Sequence, residues 1–403
     1  MEQTGHGKER DMRRKNWKFR MTAWIIAVGA IGISGGITGP AQIFASSPEF
    51  SRTAEEWSAL QDNHLEYSEI ADLIHEYNPT VQNNQYQYQK FIKDYGMTRE
   101  DVSNSYLDLA EDLEASKSGD DSGSGRVSDL SLEVQAKSLR EQADNNLEDS
   151  RIYYLNYAQA EDNLVLSAQS KFFSYYKSQL QLEQAQSTLE DLRQKYELAQ
   201  TQRSAGTITD ADVLTALEAV QNQETTIKTA EQQVDSTRQS LIVMLGWDSS
   251  AQPEIGDLPE TDLSEVDRID LSADQQTALE KNYTLLVNKR KLENAVAEDT
   301  KRNLNTTIAG NERKIRASVA SAFQSLKNAK LSYEQAQAAL TTQEREASLA
   351  EQKLAAGMIT AYENQSQQTA LANSRLALRE SAISFQDAFE TYRWNVNGLA
   401  SAE

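Results

Sequence analysis

The sequence predicts an all-α protein built from two long helical hairpins related by duplication, and three observations carry that prediction. The first is internal similarity. Sliding the 403-residue chain against itself by 151 residues lays Leu180-Gln181-Leu182-Glu183-Gln184-Ala185-Gln186 on Leu331-Ser332-Tyr333-Glu334-Gln335-Ala336-Gln337. In the same register and without a gap, Phe172 falls on Phe323, Leu198-Ala199 on Leu349-Ala350, and Ala205-Gly206-Thr207-Ile208-Thr209 on Ala356-Gly357-Met358-Ile359-Thr360. A repeat of this kind fixes architecture before any single motif does. The second observation is periodicity, and the third is the chemistry of the junction inside each copy.

In the first arm, Leu182, Ala185, Leu189, Leu192, Tyr196 and Ala199 alternate spacings of three and four, which places one apolar residue per turn on a single helix face. Past the junction, Val213, Val220, Ile227, Val234 and Leu241 recur every seventh residue, and the second copy answers with Leu371, Leu378, Phe385 and Tyr392. Such a period predicts coiled-coil packing. The companion seam, Leu217, Glu224, Glu231, Arg238 and Leu245, is half polar. Helices of this type pack on several neighbours and keep a face in water.

The junction itself reads as a helix stop and restart. Gly206 and Gly357 follow the last periodic residues of each first arm, where a helix ends most easily in a residue that adopts positive φ. Three residues later stands a Thr and three after that a carboxylate, Thr209 with Asp212 and Thr360 with Glu363. That is the spacing of a capping box. Ile208 and Ile359 are expected to close the two tips, and Arg203 and Lys353 to pair with the tip acids.

A duplicated helical hairpin with an acidic residue six positions after the turn glycine resembles the TolC-type outer-membrane efflux proteins. Asp212-Val213-Leu214 follows the family habit and Glu363-Asn364-Gln365 departs from it. A helix-start motif precedes each hairpin, Asp72-Leu73-Ile74-His75-Glu76-Tyr77-Asn78-Pro79-Thr80 and Thr277-Ala278-Leu279-Glu280-Lys281-Asn282-Tyr283-Thr284, and the resemblance spans residues 68–398. It implies a homotrimeric α-helical tunnel whose hairpin tips dock on a membrane-fusion or adaptor protein and an inner-membrane transporter, the ABC type included. Arg203, Gly206, Thr209, Asp210, Asp212, Lys353, Gly357, Thr360 and Glu363 are the expected docking or gate residues. Asp210, Asp212 and Glu363 would then form an acidic ring at the narrow end, which acts on cations by field strength. The plainer reading, that Asp212 and Glu363 only cap their helices, stands beside it.

One departure is expected. In Gram-negative members a pair of membrane strands lies between the first and the long helix of each repeat, and neither place here holds two runs of about ten alternating residues. The body therefore reads as TolC-like but lacking the membrane β-barrel strands. A non-conducting extracytoplasmic coiled-coil scaffold or adaptor is the second reading.

The domain plan follows. Residues 1–47 are a signal peptide or N-terminal anchor: seven basic residues lie in the first twenty, 21–37 carry no charge, and Ala45-Ser46-Ser47 supply small residues. Export from a monoderm bacterium to the cell envelope is the expectation. Residues 48–247 are repeat one, with a mobile loop at 116–126 rich in Gly, Ser and Asp; 248–271 are an acidic connector with Pro253 and Pro259; 272–398 are repeat two; and 399–403 are a tail. Trp57 and Leu60 suggest a short docking segment, and Gly96 with Thr98 a stop and restart. A helix is predicted from about Leu130 to Arg203, roughly 110 Å long. In repeat two, a first helix ends at Arg302 and turns through 303–310.

Composition excludes several classes. Lys and Arg number 40 against 61 Asp and Glu, and without the first twenty residues 33 basic residues face 58 acidic ones, so nucleic acid is not a partner. There is no Cys, hence no disulfide framework and no lipid-bearing cysteine. His6, His64 and His75 have no metal spacing, and no phosphate-cradling loop or nucleophile elbow occurs. No enzyme and no cofactor are expected.

Overall fold

The computed structural model describes residues 52–402, so residues 1–47, read as a signal or anchor, lie outside the described residues. From Ala54 onward the chain forms one unit. Its first repeat contains α1 (Ala54–Leu60), β1 (His64–Leu65), a 3-10 turn (Tyr67–Glu69), α2 (Ile70–Tyr77), α3 (Pro79–Tyr95), α4 (Arg99–Ala115), α5 (Gly123–Asp144), α6 (Ser150–Ser204) and α7 (Asp210–Met244). The second contains β2 (Glu254–Ile255), α8 (Ser264–Asp267), α9 (Leu271–Lys281), α10 (Tyr283–Asn294), α11 (Glu298–Ala355) and α12 (Ala361–Trp394), closed by a π turn over Asn395–Leu399. The two long hairpins, α6–α7 and α11–α12, pack side by side through α6 and α12. Arg379 Nη1 to Glu183 Oε2 at 2.7 Å and Gln184 Nε2 to Asn373 Oδ1 at 2.9 Å mark that contact.

The seams read from the sequence are the buried faces. Val220, Leu241, Leu371, Phe385 and Tyr392 are buried, while Glu224 and Glu231 on the half-polar companion seam are exposed. Two cores result. One gathers Leu60, Leu65, Ile70, Ile74, Phe172 and Phe173 with Leu241, Leu245 and Ile383, and Trp57 packs against it. The other gathers Val266, Leu285, Ile315, Val319, Leu326, Phe385 and Tyr392. Phe172 and Phe173 alone remove two large aromatic surfaces from water, the largest class of single contribution a core receives.

Each repeat carries the same clasp at its helix-start motif. Asn78 ends α2, caps α3 through Oδ1 to the backbone N–H groups of Thr80 and Val81, and donates from Nδ2 to Met244 O at 2.8 Å. Asn282 ends α9, caps α10 at Leu285 N, and donates to Gly398 O at 3.1 Å and Ala400 O at 2.7 Å. The glycine that finishes each hairpin lies against the clasp. Gly246 (φ 94°) leaves no room for a side chain beside Tyr77, and Gly398 (φ 129°) meets the Lys281 carbonyl.

The connector acts as a strap. β1 and β2 pair in parallel, His64 with Glu254 and Leu65 with Ile255. Beyond them Arg238 Nη2 donates to Pro253 O at 3.0 Å, Tyr176 Oη to Gly256 O, and Gln386 Nε2 to Glu260 O at 2.6 Å, while Lys330 pairs with Asp267 at 2.6 Å. The strap therefore touches both hairpins.

Four expectations are corrected. The helix expected from Leu130 to Arg203 is two helices, because Asp149 restarts the chain by capping Ile152 N at 3.0 Å. The turn expected at 303–310 is helical. The break lies upstream at Ala295–Ala297, both extended, and Gly310 is absorbed inside the 58-residue α11. The loop expected over 116–126 ends at Ser122, since α5 begins at Gly123. Asp129 reaches back to accept from Ser118 N at 2.8 Å and Gly119 N at 2.9 Å, which closes α4 and α5 into a hairpin. Of the residues set down as a tail, Ala400 and Ala402 are buried, and Ser401 N donates to Ser318 Oγ at 3.1 Å.

Where membrane strands were looked for, repeat one therefore carries the α4–α5 hairpin and repeat two the short link 295–297. Among the described residues the only strands are the two-residue β1 and β2, and no described helix is long and apolar enough to cross a membrane.

Candidate functional site

The sequence singled out the two hairpin tips, and the structure builds both by the same local rules. At the first tip, Ala205 N bonds to Thr201 O at 3.0 Å, Gly206 adopts φ 74°, and Thr207 N reaches back to Gln202 O at 3.0 Å. These bonds satisfy the last carbonyls of α6. Thr209 then caps α7. Its Oγ1 accepts from Asp212 N at 3.3 Å, while Asp212 Oδ2 accepts from Thr209 N at 2.8 Å and from its hydroxyl at 2.7 Å. The second tip repeats the construction with Gly357 at φ 67°, Met358 N on Lys353 O at 2.8 Å, and Glu363 Oε2 accepting from Thr360 N at 2.7 Å.

The carboxylates are thereby held ionised. Hydrogen bonds from the Thr209 hydroxyl and then its backbone N–H keep Asp212 below the ordinary carboxylate range, and those from the Thr360 backbone and hydroxyl do the same for Glu363. Each also lies in the first turn of its helix, where the macrodipole favours a negative group.

The two tips differ in their ion pairs. Arg203 was expected to pair with the tip acids, and of these it reaches Asp210, in a bidentate contact with Nε to Oδ1 at 2.5 Å and Nη2 to Oδ2 at 2.9 Å. The reason is that Asp212 points inward to its own cap, while Asp210, at the first position of α7, faces the end of α6. The Arg203 hydrogen bond pulls the Asp210 carboxyl down and pushes the guanidinium up. Lys353 makes no ion pair among the described residues, and the register puts Leu354 and Ala361 where the first tip has Arg203 and Asp210. Ile208 and Ile359 are half-buried under their turns, whereas Met358 stands 75% exposed opposite the polar Thr207 of the first tip. One tip is thus cross-linked by charge and the other presents an apolar residue.

Within each tip, then, the structure brings together the residues proposed for it, apart from the pairing of Lys353. The sequence reading missed a second polar junction at the far end of α6. Asp149, fully buried, accepts from Arg290 Nε at 2.6 Å and from Asn294 Nδ2 at 2.9 Å, and Asn294 also donates to Leu147 O at 2.8 Å. No periodic signal marks it, because its partners come from different repeats. Among the described residues no group of three side chains could hold a metal ion. His75 is paired with Glu161 at 2.5 Å and His64 with Glu66 at 3.4 Å.

No protein-family model and no curated protein matches the sequence. Solved structures do. A membrane protein from Pseudomonas aeruginosa aligns over 82% of this chain and 90% of its own, at TM-score 0.55 and 12% identity. The Campylobacter jejuni CmeC outer membrane channel aligns over 93% and 95%, at TM-score 0.52 and 10% identity. The channel CusC aligns over 91% and 99%, at TM-score 0.52 and 12% identity. At these identities the likeness is one of fold, shared with two outer-membrane channels and a membrane protein. This chain has that TolC-type, all-α fold.

Proposed function

We propose that the chain is the exported helical tunnel component of an efflux or secretion assembly in the cell envelope. Three copies would place six hairpins around one passage, and the tips would dock on a membrane-fusion or adaptor protein that joins them to an inner-membrane transporter. The observation that carries this reading is the pair of like-built tips. Two rigid, capped turns at the ends of long parallel-packed hairpins form an end surface that is organised before any partner arrives, which lowers the ordering cost of association. Asp210, Asp212 and Glu363 add an anionic rim to that surface.

The scaffold reading remains the alternative, favoured by the α4–α5 hairpin that stands where channels of this fold place membrane strands. Light scattering with negative-stain imaging separates the two. A trimer seen end-on as a ring supports the tunnel, and a monomer or dimer that persists at high concentration in the presence of adaptor overturns it. The tip role is tested by Asp212→Ala with Glu363→Ala. Loss of adaptor binding in a folded protein assigns docking, and intact binding with lower helix stability assigns capping alone.

A further inference from the structure

The four long helices pack in a row, in the order α7, α6, α12, α11. The middle contact, α6 on α12, joins the two hairpins. In the duplication α6 corresponds to α11 and α12 to α7. The same joint can therefore form a second time, between α11 at one end of the row and the α7 of another copy of the chain. Such a contact is heterologous: each copy offers a different face to each neighbour.

The partners of the inner joint recur on those two end faces. Glu183 with Arg379 becomes Glu334 with Lys228, which keeps the sign of both charges, and Gln184 with Asn373 becomes Gln335 with Asn222. Trp394, which donates to Gln169 at 2.7 Å, becomes Val243, and Gln169 becomes Ala320, so a hydrogen-bonded pair is exchanged for an apolar one on both sides at once. Glu334, Gln335, Lys228 and Asn222 are all exposed, and neither Glu334 nor Lys228 has an ion pair among the described residues. Leu180 is 6% exposed, whereas its counterpart Leu331 is 51% exposed and Val243 47%. A single chain thus leaves in water a copy of the surface that it buries between its hairpins. The copy is not complete: Leu376 and Ile383, which α12 adds to the first core, correspond to Thr225 and Gln232 on α7. The outer joint therefore buries less apolar surface, and its polar pairs carry more of the choice of partner and register.

We infer that α11 of one copy docks on α7 of the next in the register of α6 on α12, with Glu334 paired to Lys228 and Gln335 to Asn222. The occupant of each end face is a second copy of this chain, because one face carries the counterpart of what the other needs. The inference rests on the assembly proposed above and names the surfaces that make it. Its reduced apolar content makes the joint reversible and sensitive to ionic strength, unlike the covalently connected one inside the chain.

The test is sedimentation of the full chain and of three variants, Lys228→Glu, Glu334→Lys and the two together, with circular dichroism to confirm that each is folded. Either single change sets like charges against each other and should weaken association about fivefold per joint, while the double variant, with the pair reversed, should return to within about twofold of the parent. Cross-linking reads the register directly, since the chain has no Cys of its own. A mixture of Asn222→Cys and Gln335→Cys chains treated with a short bismaleimide should give a product of twice the chain mass, and either variant alone should give none. Rings that form as readily in both single charge variants, or that give no mixed cross-link, overturn the inference and leave the tunnel reading standing. A parent chain that never assembles overturns both.

Discussion

Asp149 Oδ2 lies 2.6 Å from Arg290 Nε, which ties the start of α6 in the first repeat to the end of α10 in the second. The same side chain caps α6 and accepts from Asn294, and it is 0% exposed against 37% for Arg290. Removing it leaves several donors unmatched, so Asp149→Ala should cost about 3 kcal/mol and Arg290→Ala about 1 kcal/mol. Midpoints of denaturant unfolding measure both. A larger loss from Arg290→Ala than from Asp149→Ala would mean that the stranded carboxylate, and not the cap and Asn294, dominates the junction.

Gly246→Ala and Gly206→Ala make a matched pair. Both glycines have positive φ, but a Cβ at Gly246 would press on Tyr77, its carbonyl oxygen at 2.7 Å included, whereas a Cβ at Gly206 meets nothing within 4 Å. The tip substitution should cost about 1 kcal/mol from backbone strain alone. The clasp substitution should cost at least twice that, because α2 and the end of α7 must separate. Thermal melts of the two variants, compared directly, check the order.

Duplicated positions need not weigh the same. Phe172 is fully buried in the first core, and its counterpart Phe323 is half-buried with the Lys327 ammonium 5.7 Å from its ring centroid. Phe172→Ala should cost about 4 kcal/mol and Phe323→Ala about half as much. Stability curves for the two variants decide it, and a larger loss at Phe323 would contradict the burial found here.

These contrasts locate what the sequence could and could not announce. The seams were legible from Val213 to Leu241 because burial repeats with the helix, and the tips because Gly206, Thr209 and Asp212 act on backbone groups within a few residues. The break at 295–297 was not. Ala295 and Ala297 favour helix locally, and the chain leaves it there because Asn294 is drawn away to Leu147 and Asp149. The Asn, Thr and Gly residues of 303–310 gave the opposite error: weak helix formers were carried along by the long helix around them. Arg203 and Asp210 face each other only after the turn has formed, so their pairing follows from the tip and not from spacing.

Acid should act on the tips and the core in opposite senses. Asp212 and Glu363 have lowered pKa values in the folded state, so their stabilisation is present above the ordinary carboxylate range and is lost only as pH falls through the lower, folded values. Glu390 is raised by burial, despite Arg393 at 2.9 Å, so the folded state binds its proton first. Stability from that site increases as pH drops from neutrality toward the ordinary carboxylate value. Glu390→Gln should remove this rise while leaving the loss at lower pH in place. Unfolding midpoints between pH 7 and pH 3 follow both, and a variant whose profile matches the parent would assign the rise elsewhere.

The α4–α5 hairpin leaves the body and returns to it at nearly one point. Ser150 donates from both its backbone N–H and its hydroxyl to Met97 O, at 3.2 and 2.9 Å, so the chain is back where it departed. The other repeat covers the corresponding step with three residues. In genetic terms the first repeat holds a removable cassette. A short splice between α3 and α6 that retains Asp149 would yield a more symmetric molecule, and the same joint is where a foreign domain could be grafted without disturbing either hairpin.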